Sequence, residues 1–286
     1  MQYRVKIFAR IGELMQGMLP NHSHFMVSGI PSRQFFTEAV LEEAPATTIQ
    51  LPEKALQALH LLLRTYTGND ALAATLLHGK KISIHSNIPH GKGLSSSSAD
   101  ILSVLYVMND FLRAGFGIND LYAIAAQVEP TDPCLSDDIL LFRQREGRVD
   151  RSLVLPALAV VYFDCMPEQQ VPTLEIKRNY NNRQVIAFEH LLNRFIAAAQ
   201  QQDYTGLFDC ITQSAICNQA IIPLPHFHQC LQLATEQRAG MMVAHSGTIA
   251  GFVTAPHQME GLLQKVKQLA TRYPATTVYD EIWEPR

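Results

Sequence analysis

The stretch Pro89-His90-Gly91-Lys92-Gly93-Leu94-Ser95-Ser96-Ser97-Ser98-Ala99-Asp100 decides how this chain is read. Two glycines and four consecutive hydroxyls stand directly before the apolar-periodic run 101–112, so a turn opens onto a buried helix. Such a junction suits an anion. The N–H groups and positive dipole end of a helix N-terminus favour a phosphate, glycines let the backbone approach it, and serine hydroxyls add hydrogen bonds or a magnesium contact. The preceding Lys81-Ile82-Ser83-Ile84-His85 alternates as a strand does and gives a strand–loop–helix context. A solvent-exposed Ser/Gly turn with one capping serine is the plainer alternative, although a cap needs one hydroxyl and four are present. The run has neither the GxxxxGK[ST] spacing of a P-loop nor the GxGxxG of a dinucleotide-binding turn.

Around this stretch, 286 residues leave room for one large domain or two lobes sharing an interface. The 47% apolar and 17% charged fractions describe an ordinary globule with a sizeable core. A net charge of −3 with dispersed Lys and Arg argues against nucleic acid as a partner, whereas a small anion needs only a local positive site. No run approaches the ~18 apolar residues of a membrane span, which argues against a membrane partner. The start Met1-Gln2-Tyr3-Arg4-Val5-Lys6 leads into a strand pattern rather than a signal segment, so cytoplasmic residence is the default expectation. The cysteines Cys134, Cys165, Cys210, Cys217 and Cys230 form no CxxC pair and read as reduced thiols rather than a disulfide framework or a zinc site. Cys210 and Cys217 read as core packing on one helix face, and His226 and His228 near Cys230 sit in a proline-broken connection.

Read in order, 3–11 predicts an opening strand ending in the short loop Gly12-Glu13-Leu14-Met15-Gln16-Gly17, which is either a ligand loop or a plain turn. Residues 25–30 and 35–41 predict paired strands around Pro31-Ser32-Arg33. Helices are predicted over 53–66, stopped by Gly68-Asn69, over 71–78, over 101–113 and over 118–127. The last delivers Glu129-Pro130-Thr131-Asp132-Pro133, where two prolines pin a pair of carboxylates as catalysis requires, or form an acidic-capped structural turn. Strands over 139–142, 149–154 and 158–163 follow, then the polar stretch 167–182, a candidate substrate-side loop or lid. Helices over 185–201, 204–218, 227–237 and 256–269 alternate with strands over 240–245, 249–254 and 276–279. The irregular alternation predicts an α+β protein with two lobes, 1–155 and 156–286.

Three separated segments resemble one family in the same order. The serine-rich loop resembles the second motif of the GHMP kinases, small-molecule kinases with an ATP-embracing PxxxGLxSSxA-type loop. Gly12–Gly17, Glu129-Pro130-Thr131-Asp132, Ser98-Ala99-Asp100 and Ala244-His245-Ser246-Gly247-Thr248 resemble the L-threonine kinase branch, the PduX-like proteins of cobalamin metabolism. Ala244–Gly251 is poorer in glycine than the family's third motif, and Ala9-Arg10-Ile11 replaces the lead-in associated with the branch.

The resemblance implies a two-lobed fold with a ribosomal-protein-S5-like N-terminal lobe and a ferredoxin-like C-terminal lobe, using ATP and Mg²⁺. Pro89, Gly91, Lys92, Gly93, Leu94, Ser95, Ser96, Ser97 and Ser98 match the loop around the ATP phosphates. Ser97 matches the hydroxyl near magnesium, Glu129 the carboxylate that assists it, and Asp132 the aspartate facing the accepting hydroxyl. Gly247 falls in the motif that closes against phosphates and substrate, beside Thr248. An amino-acid acceptor needs partners for its ammonium and carboxylate groups, and Glu13, Gln16, Arg33, His245 and Ser246 are the candidates. The implied reaction converts L-threonine to O-phospho-L-threonine. Homoserine or another metabolite alcohol is the alternative acceptor, and a nucleotide-binding protein without turnover the alternative class. Both a monomer and a homodimer fit this reading.

Overall fold

The computed structural model describes residues 2–171, 176, 178–273 and 276–285. Two long antiparallel strands, β1 (Gln2–Met18) and β2 (His24–Glu43), form its spine, with register running from Gln2↔Glu42 to Met18↔His24. Register shifts between Phe8 and Arg10 and between Glu13 and Met15 bend the pair, as β-bulges do, and let its two halves face different neighbours. The predicted turn at 12–17 is therefore strand, with Gly12 at φ +49° in the bend. The predicted hairpin at Pro31-Ser32-Arg33 is also strand. Pro31 lies opposite Arg10 at the register shift, where a missing N–H does not break the ladder.

On one half of β2 pairs β4 (Lys80–Ser86), with the short β3 (Thr48–Gln50) parallel to it. The other half takes β5 (Leu140–Arg143), which forms a hairpin with β6 (Arg148–Ser152). On the far side of β1, β8 (Gly240–Val243) joins through Glu13↔Val243, followed outward by β9 (Ile249–Thr254), β7 (Leu158–Asp164) and β10 (Val278–Trp283). The result is a mixed ten-stranded sheet within an α+β fold.

Helices cover it according to their apolar faces. α1 (Glu53–Thr67) buries Ala55, Ala58, Leu59, Leu62 and Leu63 and ends at Gly68, whose left-handed backbone donates to Arg64 O. α2 (Asp70–Leu76) follows, opened by the Asn69 cap. α3 (Ser96–Leu112) is buried nearly all round and lies between α1 and the β1–β2 spine. α4 (Ile118–Ala126) packs beside it. In the second half, α5 (Asn182–Gln200) and α6 (Tyr204–Gln219) cover one face of the sheet, and α7 (Phe227–Glu236) and α8 (Met259–Ala270) cover the other. β7 shows why both are needed: Val160 and Tyr162 belong to the main core, while Val161 and Phe163 belong to a second core under α7 and α8. The five cysteines are free thiols, four of them buried. Among the described residues no helix is long and apolar enough to cross a membrane. The lid candidate 167–182 lies partly outside the described residues.

Candidate active site

The serine run forms the junction expected of it, with one shift. α3 begins at Ser96, so Ser96, Ser97 and Ser98 are its first turn rather than a preceding loop, and Ser95 is the N-cap at φ +58°. No side chain caps this helix, and the first intrahelical bond is Ala99 N–H to Ser95 O at 2.9 Å. The N–H groups of the first turn are thus left for a ligand, the arrangement that binds phosphate. A cavity of about 600 Å³ opens there, lined by Gly91, Gly93 and Ser95 to Ser98 on one side. Glu129, Asp132, Glu13, Gln144, His245 and Ser246 also line it.

The loop before α3 is held from behind. Lys92 O accepts from Thr248 N–H (3.0 Å) and Ile249 N–H (3.2 Å), and Gly93 O accepts from Gly12 N–H (3.3 Å). Gly93 sits at φ +84°, and a Cβ there would stand 2.1 Å from Ala244 Cβ. A Cβ on Gly247 would lie 2.2 Å from the Lys92 carbonyl carbon. Gly247 and Thr248, expected as substrate contacts, therefore buttress the phosphate loop and do not line the cavity. Leu94 is core, Pro89 is half-buried off the cavity, and Lys92 points away from it. The Lys92 ammonium donates to the carbonyls of Met166, Pro167 and Gln169 and pairs with Asp164, which leaves no donor for a phosphate.

The acidic segment is placed by α4 and by three fastenings. Thr131 N–H donates to Gln144 O (2.9 Å) and Asp132 N–H to Ser98 Oγ (2.9 Å). The buried Arg10 guanidinium donates to the carbonyls of Gly29, Pro133, Ser136 and Asp138. Burial pushes the Asp132 carboxyl up to about 6, with Glu129 adding to the rise and a Ser95 hydrogen bond and Arg10 opposing it. Glu13 is held well above the usual carboxylate range by burial and by Asp132 beside it. Glu129 pairs with Lys54 at 2.5 Å through Oε2, while its Oε1 is buried without a hydrogen-bond partner. Glu129 and the half-buried Ser97 line the same cavity. They fit Mg²⁺, which takes one or two carboxylates and completes its octahedron with phosphate and water. No cluster of three His, Cys, Asp or Glu groups that would hold a metal alone occurs among the described residues.

His245 closes the far end. Its ring lies 2.9 Å from Gln16 Oε1 through Nδ1 and 3.2 Å from Gln144 Nε2 through Nε2, and its N–H donates to Glu13. Burial, then Arg178, His24 and Arg145, hold its pKa well below the ordinary histidine value, so the ring is neutral. Nδ1 then donates to Gln16 and Nε2 accepts from Gln144, whose Oε1 is left buried and unpartnered. Gln16 thus orients His245 rather than lining the cavity. Arg33 is not brought to the site. It is exposed in the bend of β2, where its backbone N–H donates to Glu281 at 2.9 Å.

Sequence reasoning missed Lys54, Gln144, Arg178 and the function of Arg10. Arg10 continues the alternation of Arg4 and Lys6 along its strand, so nothing local marked it as buried. Lys54 was hidden in a helix read only for its core face.

Fold and site together define an α+β protein with an uncapped helix N-terminus set against buried carboxylates. Residues 53–141 match the family model described as GHMP kinases N terminal domain. The chain is similar to an L-threonine kinase of Citrobacter freundii, 25% identical over 249 residues, which span 86% of this chain and 84% of that protein. Its fold is similar to homoserine kinase from Cytophaga hutchinsonii, with a TM-score of 0.67 at 18% identity over 98% and 97% of the two chains. Phosphomevalonate kinase of Streptococcus pneumoniae superposes with a TM-score of 0.73 at 15% identity over 99% and 100%. The family match is confined to residues 53–141, and the solved structures show that the fold is shared.

Proposed function

We propose that this chain is an ATP-dependent small-molecule kinase and that its acceptor is L-threonine, giving O-phospho-L-threonine for cobalamin nucleotide-loop synthesis. The observation that carries the kinase reading is the uncapped serine N-terminus of α3 sharing one cavity with Glu129 and Asp132. Phosphoryl transfer needs little covalent help from a protein: it needs the triphosphate held, charge neutralised and the acceptor oxygen in line. The Ser96 to Ser98 turn holds the phosphates by backbone N–H groups. Ser97 and Glu129 hold Mg²⁺, which when bound neutralises charge on the phosphates. Asp132 takes the proton of the acceptor hydroxyl as that oxygen attacks the γ-phosphorus and ADP leaves. A carboxyl near 6 is ionised at neutral pH yet basic enough to accept a proton in the transition state.

The acceptor assignment is supported by the likeness to L-threonine kinase and by the acidic end of the cavity. Glu13 and Ser246 both line the cavity and offer hydrogen-bonding groups to an amino acid. The same proposal includes lobes of 1–155 and 156–286, S5-like and ferredoxin-like, with the substrate site completed by the second. Incubation with Mg-ATP and a panel of L-threonine, homoserine, L-serine and mevalonate, read by mass spectrometry, tests it. L-threonine is expected to react fastest. Faster phosphorylation of homoserine or another alcohol overturns the acceptor, and ATP binding without transfer to any alcohol overturns the kinase.

A further inference from the structure

Lys92 stands between two glycines with left-handed backbones, Gly91 at φ +69° and Gly93 at φ +84°, inside the loop that meets the phosphates. Its side chain runs the other way. The ammonium donates to Met166 O (2.9 Å), Pro167 O (2.7 Å) and Gln169 O (2.5 Å), and lies 2.9 Å from Asp164 Oδ2. Three N–H donors are thereby spent on four oxygens, with the side chains of Lys92 and Asp164 only 11% and 19% exposed. Asp164 is itself fixed by donation from Met166 N–H to Oδ1 (2.9 Å). One residue away, Val171 N–H donates to Gly91 O (3.1 Å), and the Gln170 side chain packs so close to Gly91 that a Cβ there would meet Gln170 Cβ at 2.8 Å. Gln170 and Val171 line the cavity with Ser95 to Ser98.

We infer that Lys92 is a positioning residue of the nucleotide pocket: its ammonium draws the 164–171 segment onto the phosphate loop, so that Gln170 and Val171 become pocket wall. The inference rests on the nucleotide reading of that cavity. A lysine contributes here what a backbone contact alone does not, because one ammonium gathers three carbonyls of the 166–169 loop and neutralises Asp164. Removing it leaves a nearly buried carboxylate without a countercharge and the carbonyls of Pro167 and Gln169 without this donor, so among the described residues the segment is held at its far end by Val171 N–H to Gly91 O alone.

The test compares the full chain with Lys92→Met, Asp164→Asn and the double variant. Hydrogen exchange is read first, without nucleotide, followed by binding of a non-hydrolysable Mg-ATP analogue and steady-state kinetics. Exchange at Gln169 to Val171 is expected to quicken about tenfold in each single variant, with ATP KM raised about tenfold and kcat and acceptor KM within about twofold. The double variant is expected to be no worse than Lys92→Met, since both substitutions break one pairing. Unchanged exchange in both single variants overturns the inference. So does weakened ATP binding in Lys92→Met with wild-type exchange and affinity in Asp164→Asn, which would mean that the ammonium serves a phosphate directly. If Lys92→Met does not fold, Asp164→Asn decides by the same readouts. Failure of the unaltered protein to bind ATP overturns the nucleotide reading itself, a result distinct from bound ATP with unchanged exchange.

Discussion

The backbone N–H of Asp132 donates to Ser98 Oγ at 2.9 Å, so the residue proposed to face the acceptor is fastened to the helix turn proposed to face the phosphates. On the proposed reading, donor and acceptor sides of the transfer are set by one contact between segments 34 residues apart. An in-line reaction depends on that spacing, because small misplacement of reacting atoms is costly.

Replacement of the Asp132 carboxylate removes the proposed base while leaving this backbone contact in place. Asp132→Asn is expected to lower kcat by roughly 10²-fold or more, with affinity for Mg-ATP by calorimetry changed less than about threefold. Because the carboxyl is held at about 6, wild-type turnover is expected to fall about tenfold per pH unit below that value. A flat profile between pH 5 and 7, as approximate bounds, would remove Asp132 from the role of base.

The same residue works against the fold. A carboxyl raised from 3.8 to about 6 binds its proton more tightly in the folded chain than in the unfolded one. Its contribution to stability is full below about pH 4 and is lost as pH rises through about 6, amounting to at most ~3 kcal/mol for about two units. Asp132→Asn, which has no proton to lose, is expected to melt at higher temperature than wild type at pH 8 and at nearly the same temperature at pH 4. Differential scanning at both values measures the difference.

Glu129 gives a separate readout, since its Oε1 is the buried oxygen without a partner. Glu129→Gln is expected to raise the Mg²⁺ concentration for half-maximal turnover by about tenfold, measured by metal titration at saturating ATP. Lys54→Met strips the countercharge from Glu129 Oε2. Lys54 is partly exposed and solvent screens part of the loss, so a destabilisation of about 1–2 kcal/mol in urea unfolding is expected, below that of a fully buried pair.

The parts of this arrangement that were legible from sequence are those carried by local chemistry. Gly91, Gly93 and the serines announce a turn suited to an anion that opens onto a helix, and two prolines around Thr131-Asp132 announce a fixed carboxylate. What was not legible depends on chain that returns from far away. Pro31 and Gly12 look like turn residues and are turn residues nowhere here, because a register shift lets both sit in long bent strands. Lys92 looks like a phosphate ligand until the carbonyls of 166–169 arrive to take its donors. Arg10 follows Arg4 and Lys6 on alternate strand positions with no local sign of burial, and only the fold brings it the carbonyls of Pro133, Ser136 and Asp138.

The contact between the phosphate loop and the strand behind it can be tested with two glycines that differ in surroundings. A Cβ on Gly247 would meet the Lys92 carbonyl carbon at 2.2 Å and Gly93 N at 2.3 Å, and both are backbone atoms with nowhere to move. Gly261, inside α8, has nothing within 4 Å of its Cβ position. Gly247→Ala is expected to cost about 2 kcal/mol or more and to weaken ATP binding, because relief of the clash must displace the loop that holds the phosphates. Gly261→Ala is expected to gain about 0.5–1 kcal/mol, since alanine stiffens the unfolded chain and favours helix, with ATP binding unchanged. Urea unfolding and calorimetry on both variants separate these outcomes. Equal behaviour of the two would mean that the 244–248 segment does not set the position of Lys92 and Gly93.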